Sequence, residues 1–150
     1  MKRGSKRQRK ADKAPIFGPE TSESADDIVE PDALYQHLRN RGVSVSLRYF
    51  QSSCECFSKW QNKELKKFSG TLEKIRGYNA NLLKQKKSLC DSHKGDPDEG
   101  RFSRPEEISP DMTLYEIKVD PSNKLRMHGF FVDDVFFLIW LDREHKCFKV

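Results

Sequence analysis

Two arginines and two histidines lie close together in the last quarter of the sequence: Arg126 and His128 in KLRMHGFFV, Arg143 and His145 in LDREHK. If Asp133-Asp134 is a two-residue hairpin turn, Val132 pairs with Val135 and the register of the flanking strands follows. Arg126, His128 and Phe130 then share one face with Phe137, Ile139, Leu141, Arg143 and His145. Leu125, Met127, Gly129 and Phe131 share the other with Phe136, Leu138, Trp140 and Asp142. A group of this kind suits phosphodiester chemistry. The planar guanidinium of arginine grips a phosphate bidentately and stabilises the charge of a pentacoordinate transition state. Histidine titrates near neutrality, so it can take a 2′-hydroxyl proton or give one to a leaving 5′-oxygen. A slip of one residue would scatter the group, because it turns every side chain to the opposite face. A packed histidine and charged side chains solvated at a frayed strand end are the plainer reading, and spacing alone leaves both open.

The remaining metal-type ligands are Cys54-x-Cys56, Cys90-x-x-His93 and His145-x-Cys147. Structural zinc sites favour CxxC spacing, so no metal site or cofactor is expected, and the cysteines read as buried or incidental thiols. His93 falls in a polar loop and is expected to matter little to chemistry. There is no glycine-rich phosphate loop, GxSxG elbow, HExxH helix or paired-carboxylate motif, which argues against nucleotide hydrolases, serine hydrolases and metalloproteases.

The elements that must position the group follow from periodicity. Residues 43–50 (VSVSLRYF) alternate apolar or β-branched with polar residues, the pattern of a half-buried strand. Leu65, Phe68, Leu72 and Ile75 recur at helical steps after a potential cap at Asn62, and Asn79 can cap a short second helix through Leu82 and Leu83. Phe57 and Trp60 close the N-terminal side of this pair. Residues 88–111, broken by Gly95, Pro97, Gly100, Pro105 and Pro110, read as a long mobile or functional loop. Three strands follow, over 114–119, 124–132 and Val135–Asp142. The order β-α-α-β-β-β predicts an α+β domain over residues 33–150, an antiparallel sheet with two basic helices packed on one face. A small leading helix begins at Asp32, with Leu34, Tyr35 and Leu38 on one side and Gly42 just past its end.

Charge divides the chain further. Residues 1–13 carry seven Lys/Arg and one Asp, and residues 14–32 carry six Asp/Glu and no Lys/Arg, so the first 32 residues cancel. With few apolar residues, they read as a disordered charged tail. Residues 57–87 hold nine Lys/Arg against Glu64 and Glu73. So dense a cationic face attracts polyanions, RNA above all, with Lys63, Lys66, Lys67, Lys74 and Arg76 as the candidate phosphate contacts. A merely solvated helix flank is the alternative. The longest apolar run is seven residues, too short to span a bilayer, and no secretory signal is visible, so a cytoplasmic protein with reduced thiols is expected. KRGSKRQRK would also pass as a nuclear-localisation patch.

VSVSLRYF, the helical segments ELKKFSGTLEKI and ANLLKQ, then LYEIKV, KLRMHGFFV and VFFLIWLDREHK resemble, in order and in the last two strands, the RelE/ParE-like toxin superfamily. That superfamily includes the YoeB- and HigB-type bacterial mRNA interferases. The resemblance implies a metal-free endoribonuclease acting on mRNA at the ribosome and restrained by an antitoxin protein. It implies an arginine on the penultimate strand, here Arg126, and an acid/base at the end of the last, here His145 beside Arg143. It also implies a glutamate near the first strand of the final meander, for which Glu116 is the match. Together with the strand register, Glu116 or His128 would then supply a second proton-transfer group. A non-catalytic nucleic-acid- or ribosome-binding protein of a mobile element or phage, with the same fold, is the alternative.

Overall fold

The run Leu65, Phe68, Leu72 and Ile75 forms one face of a helix, as its spacing requires, in a computed structural model that describes residues 42–148. This helix, α1, spans Asn62–Ile75. Its cap is Gln61 rather than Asn62, because Glu64 three residues on reaches back to accept the Gln61 N–H at 2.8 Å. A second helix, α2, spans Ala80–Gln85, with the Asn79 side chain accepting from Leu82 N. Phe57 and Trp60 pack edge-on against Phe68, closing this side of the core. The expected tail and the helix from Asp32 lie outside the described residues.

Five strands make one mixed sheet in the order β1-β5-β4-β3-β2: β1 Ser44–Ser46, β2 Cys90–His93, β3 Leu114–Lys118, β4 Arg126–Val132 and β5 Val135–Asp142. The all-antiparallel expectation fails at one edge, where β1 runs parallel to β5. The chain leaves the sheet at Leu47, turns with Phe50 N on Leu47 O, and touches β5 again through Gln51 N on Ile139 O, so only three residues of the expected eight are strand. The β2 strand was not expected. Its sequence, CDSH, has a single apolar residue and poor β-propensity, and it is held by pairing with β3 at the opposite edge. The long loop is therefore shorter than its sequence suggests. Its remainder is gathered around Arg104, which donates to the carbonyls of Ser109, Met112 and Gly95 and to Asp96.

The Asp133-Asp134 hairpin forms as expected, with Asp133 at φ +50° and Val132 opposite Val135. The register holds as far as Gly129 opposite Leu138. There β5 gains a residue, and His128 faces Trp140, Met127 faces Leu141 and Arg126 faces Asp142. Ile139 and Trp140 consequently both join one apolar cluster while Leu141 joins the other. Gly129 permits this, since a Cβ there would lie 1.9 Å from the Phe137 carbonyl oxygen. Both sheet faces are covered. On one, Phe68, Ile75 and Leu83 from the helices meet Ile117, Met127 and Leu138. On the other, Phe102, Ile108 and Phe148 cover Leu114, Phe130 and Trp140. No described helix is long and apolar enough to cross a membrane.

Gly129→Ala should cost about 3 kcal/mol, the upper end for forced overpacking, read as a lowered denaturation midpoint. Asp120 provides a pH test. Its hydrogen bond from Lys67, helped by Ser122, lowers its pKa from 3.8 to about 2 in the folded chain. The stabilisation is therefore complete above the unfolded value and disappears as pH falls through the folded one. Asp120→Asn should lower the melting temperature near neutrality, with its difference from wild type vanishing toward pH 2.

Candidate functional site

The register of β2, β3 and β4 sets the candidate site. Glu116 on β3 stands between Asp91 of β2 and His128 of β4, on the sheet face opposite the helices. Glu116 is buried, and three cationic or imidazole groups converge on it. His93 Nε2 lies 3.0 Å and His145 Nε2 3.1 Å from the same oxygen, Oε2. Arg126 Nε lies 3.5 Å from Oε1. Burial alone would raise the Glu116 pKa, but the His93 hydrogen bond and the nearby imidazoles outweigh it and bring it down to about 2. Glu116 is thus a fixed anion that orients rings. The two rings it holds are the accessible ones, with side chains 21% and 18% exposed for His93 and His145.

Beside this group lies a second pair. His128 Nε2 is 2.9 Å from Asp142 Oδ2, and both side chains are wholly buried. Burial lowers the His128 pKa more than Asp142 raises it, which favours the neutral ring. Burial works against ionisation of Asp142, yet its contact with His128 and the N–H groups of Lys146 and Cys147, each at 2.8 Å, keep its pKa low. These two backbone bonds fold the chain after β5 back across the sheet. His145 sits in that turn at φ +54°, a left-handed conformation that few residues other than glycine adopt, and its ring is thereby aimed at Glu116. Phe148, a little further on, stacks flat on His93 with ring centroids 4.1 Å apart.

Of the residues singled out from sequence, Glu116, Arg126 and His145 come together, with His128 directly behind them. Two of those expectations need correction. His128 is fully buried and cannot meet a substrate directly. Arg143 is carried to the other side of the sheet by the extra residue in β5, where Nε and Nη2 grip Glu64 of α1 and its N–H bonds Glu55. His93 was expected to be irrelevant and instead stands at the centre. The signal that would have found it is the β2–β3 pairing, invisible in so polar a segment. Arg126 is also more restrained than a free phosphate ligand, since its Nη1 donates to the carbonyls of Asn123 and Leu125.

The basic residues of the helical region form a separate surface. Lys63, Lys66, Lys67 and Lys74 make one exposed stripe on α1, and Arg76 follows its end. Lys67 is engaged by Asp120 and is removed from the candidate phosphate contacts. The helices cover the sheet face opposite Glu116, so stripe and cluster do not share a face of the sheet. Two other lysines, Lys94 and Lys146, directly follow His93 and His145 in the chain and are exposed. No protein-family model, characterised protein or solved structure matches this chain.

Proposed function

We propose that the protein binds RNA and cleaves its phosphodiester backbone at the Glu116 cluster. The observation that carries the reading is the convergence of two partly exposed imidazoles on one buried carboxylate, with Arg126 on that carboxylate's other oxygen. Glu116 accepts from Nε2 of His145 and fixes the ring, leaving Nδ1 without a protein hydrogen bond among the described residues. A ring so held is suited to proton transfer. In the reaction proposed, the RNA 2′-oxygen attacks phosphorus and the bond from phosphorus to the 5′-oxygen breaks. The 2′-hydroxyl proton passes to solvent, and His145 in its imidazolium form delivers the Nδ1 proton to the leaving 5′-oxygen and regains one from solvent. The products are a 2′,3′-cyclic phosphate and a 5′-hydroxyl. Lys94 and Lys146 are the cations nearest in the chain to the two rings and are the candidates for holding neighbouring phosphates. By the resemblance to RelE/ParE-like toxins, the ribosome would present the RNA, the protein would act in the cytoplasm and an antitoxin would restrain it.

A second reading, binding without cleavage, is favoured by the Lys63, Lys66 and Lys74 stripe. No described residue forms an ion pair with these lysines, and they lie apart from the cluster. A surface of that kind recognises a phosphate backbone without chemistry.

Two measurements follow. The full chain, incubated with end-labelled single-stranded RNA with and without ribosomes, should give cyclic-phosphate ends. His145→Asn, which tolerates the same backbone angle, should slow cleavage roughly 10²–10⁴-fold. Undiminished cleavage by that variant would remove His145 from the reaction, and binding with no cleavage in any condition would favour the second reading. Affinity for single-stranded RNA should fall linearly with the logarithm of salt concentration, with the slope reduced by about 0.7 for each of Lys63, Lys66 and Lys74 changed to Gln. An unchanged slope would leave the stripe as solvated surface only.

A further inference from the structure

His93, Glu116 and His128 each offer one ligand atom, and the three atoms lie within 4.8 Å of one another. We propose that these residues form a binding site for a zinc-like divalent transition-metal ion, with Asp142 behind His128 as the carboxylate that orients it.

Four features support the assignment. The first is His128 Nδ1, which is buried and has no hydrogen-bond partner among the described residues. Its other ring nitrogen, Nε2, is engaged by Asp142. An Nε2–H donated to Asp142 leaves Nδ1 a bare lone pair in the buried interior, which destabilises the fold unless a partner takes it. A metal ion does so. Histidine ligands characteristically give their second nitrogen to a carboxylate in this way, which sets the tautomer and the ring direction.

The second feature is spacing. Ligand atoms on a tetrahedral zinc, with bonds of about 2.0–2.1 Å, sit about 3.3 Å apart. His93 Nε2 and Glu116 Oε2 are 3.0 Å apart, close to that spacing, and the three ligand atoms together lie within 4.8 Å. The third is ligand type. Two imidazoles and one carboxylate suit zinc and its neighbours, whereas calcium and magnesium take oxygen-rich sets. Three protein ligands with a fourth position left over is the pattern of a reactive zinc site rather than a closed structural one. His145 lies 3.1 Å from the same carboxylate oxygen and is partly exposed.

The fourth feature is the balance of fixed charge. Arg126 is offset by Glu116, and Asp142 adds a further negative charge, so these three buried groups together carry net negative charge and phosphate attraction rests on the exposed Lys94 and Lys146. A bound dication reverses the sign and supplies a Lewis acid for a phosphoryl oxygen. As an aid to cleavage the proposal rests on the nuclease reading above. As a metal site it does not.

Binding is therefore tested without RNA. The full chain, stripped with chelator and dialysed, is titrated with zinc by calorimetry and then with cobalt(II), followed by visible absorption. One equivalent of zinc should bind, and cobalt should give d–d bands with no thiolate charge-transfer band. His93→Asn and Glu116→Gln should each weaken zinc binding by about a hundredfold or more, and Asp142→Asn by about 10–100-fold. His93 is partly exposed, so its variant serves where a buried-site variant does not fold, as judged by near-ultraviolet circular dichroism. The proposal is overturned by an absence of saturable zinc binding in the wild-type chain or by unchanged affinity in His93→Asn. A strong thiolate-to-cobalt band also overturns it, since that would assign the ion to His128, Asp142 and Cys147. Zinc binding without RNA cleavage supports the metal site and overturns the nuclease reading, and cleavage without zinc binding does the reverse.

Discussion

One extra residue in β5, beside Gly129, decides which side chains meet. Two strands joined by a tight turn would otherwise alternate faces along their whole length. The irregularity holds Ile139 and Trp140 on one side in succession and reverses every side chain beyond them. Asp142 is thereby brought under His128, Leu141 enters the helix-side core, and Arg143 is sent to Glu64. The carbonyl of the extra residue is not left unsatisfied: Gln51 N–H bonds it at 2.9 Å, and the Gln51 side chain accepts from Trp140 Nε1 at 2.7 Å. The segment after β1 is thus folded back as the counterpart of the bulge, which links the short first strand to the site at the far end of the sheet.

The second constraint is the compensation of buried charge. Glu55, Glu116, Arg126, His128 and Asp142 are all buried. Each carboxylate is matched by donors. Glu55 takes Trp60 Nε1 and Arg143 N, Glu116 takes two imidazoles, and Asp142 takes an imidazole and two backbone amides. Burial pushes the Glu55 pKa up, against those two hydrogen bonds, and leaves Glu116 and Asp142 low because their donors outweigh it. Truncating one partner in such a network is more damaging than its single hydrogen bond suggests, because the remaining charge stays buried and uncompensated.

Much of this was legible in the sequence, and the remainder was not, for identifiable reasons. The α1 face, the Asn79 cap, the hairpin at Asp133-Asp134 and the bounds of β5 follow from local periodicity and turn chemistry, which a single segment contains. The parallel partner of β1 and the β2 edge depend on pairing between distant segments, and neither segment is apolar enough to announce it. For the site, Arg126 and His145 could be named from type and position, and Glu116 only through the family resemblance. His93 could not, and Arg143 was misplaced, because one inserted residue carries no compositional mark yet changes the face of everything after it.

The parallel pairing of β1 with β5 also bears on the order in which the molecule can be built. Among the described residues β1 has a single partner, and that partner is the last strand. The β4–β5 hairpin and the β3–β4 pair close over short spans and need little loop entropy, whereas β1 must wait across the whole intervening chain. The same delay applies to the cluster on Glu116, whose contributors come from β2, from β4 and from the turn after β5. During synthesis on a ribosome, the helices and the β3–β4 pair can therefore be in place while the Glu116 cluster is still unassembled. In a nascent chain of this fold the Glu116 cluster stays incomplete until the turn after β5 has emerged.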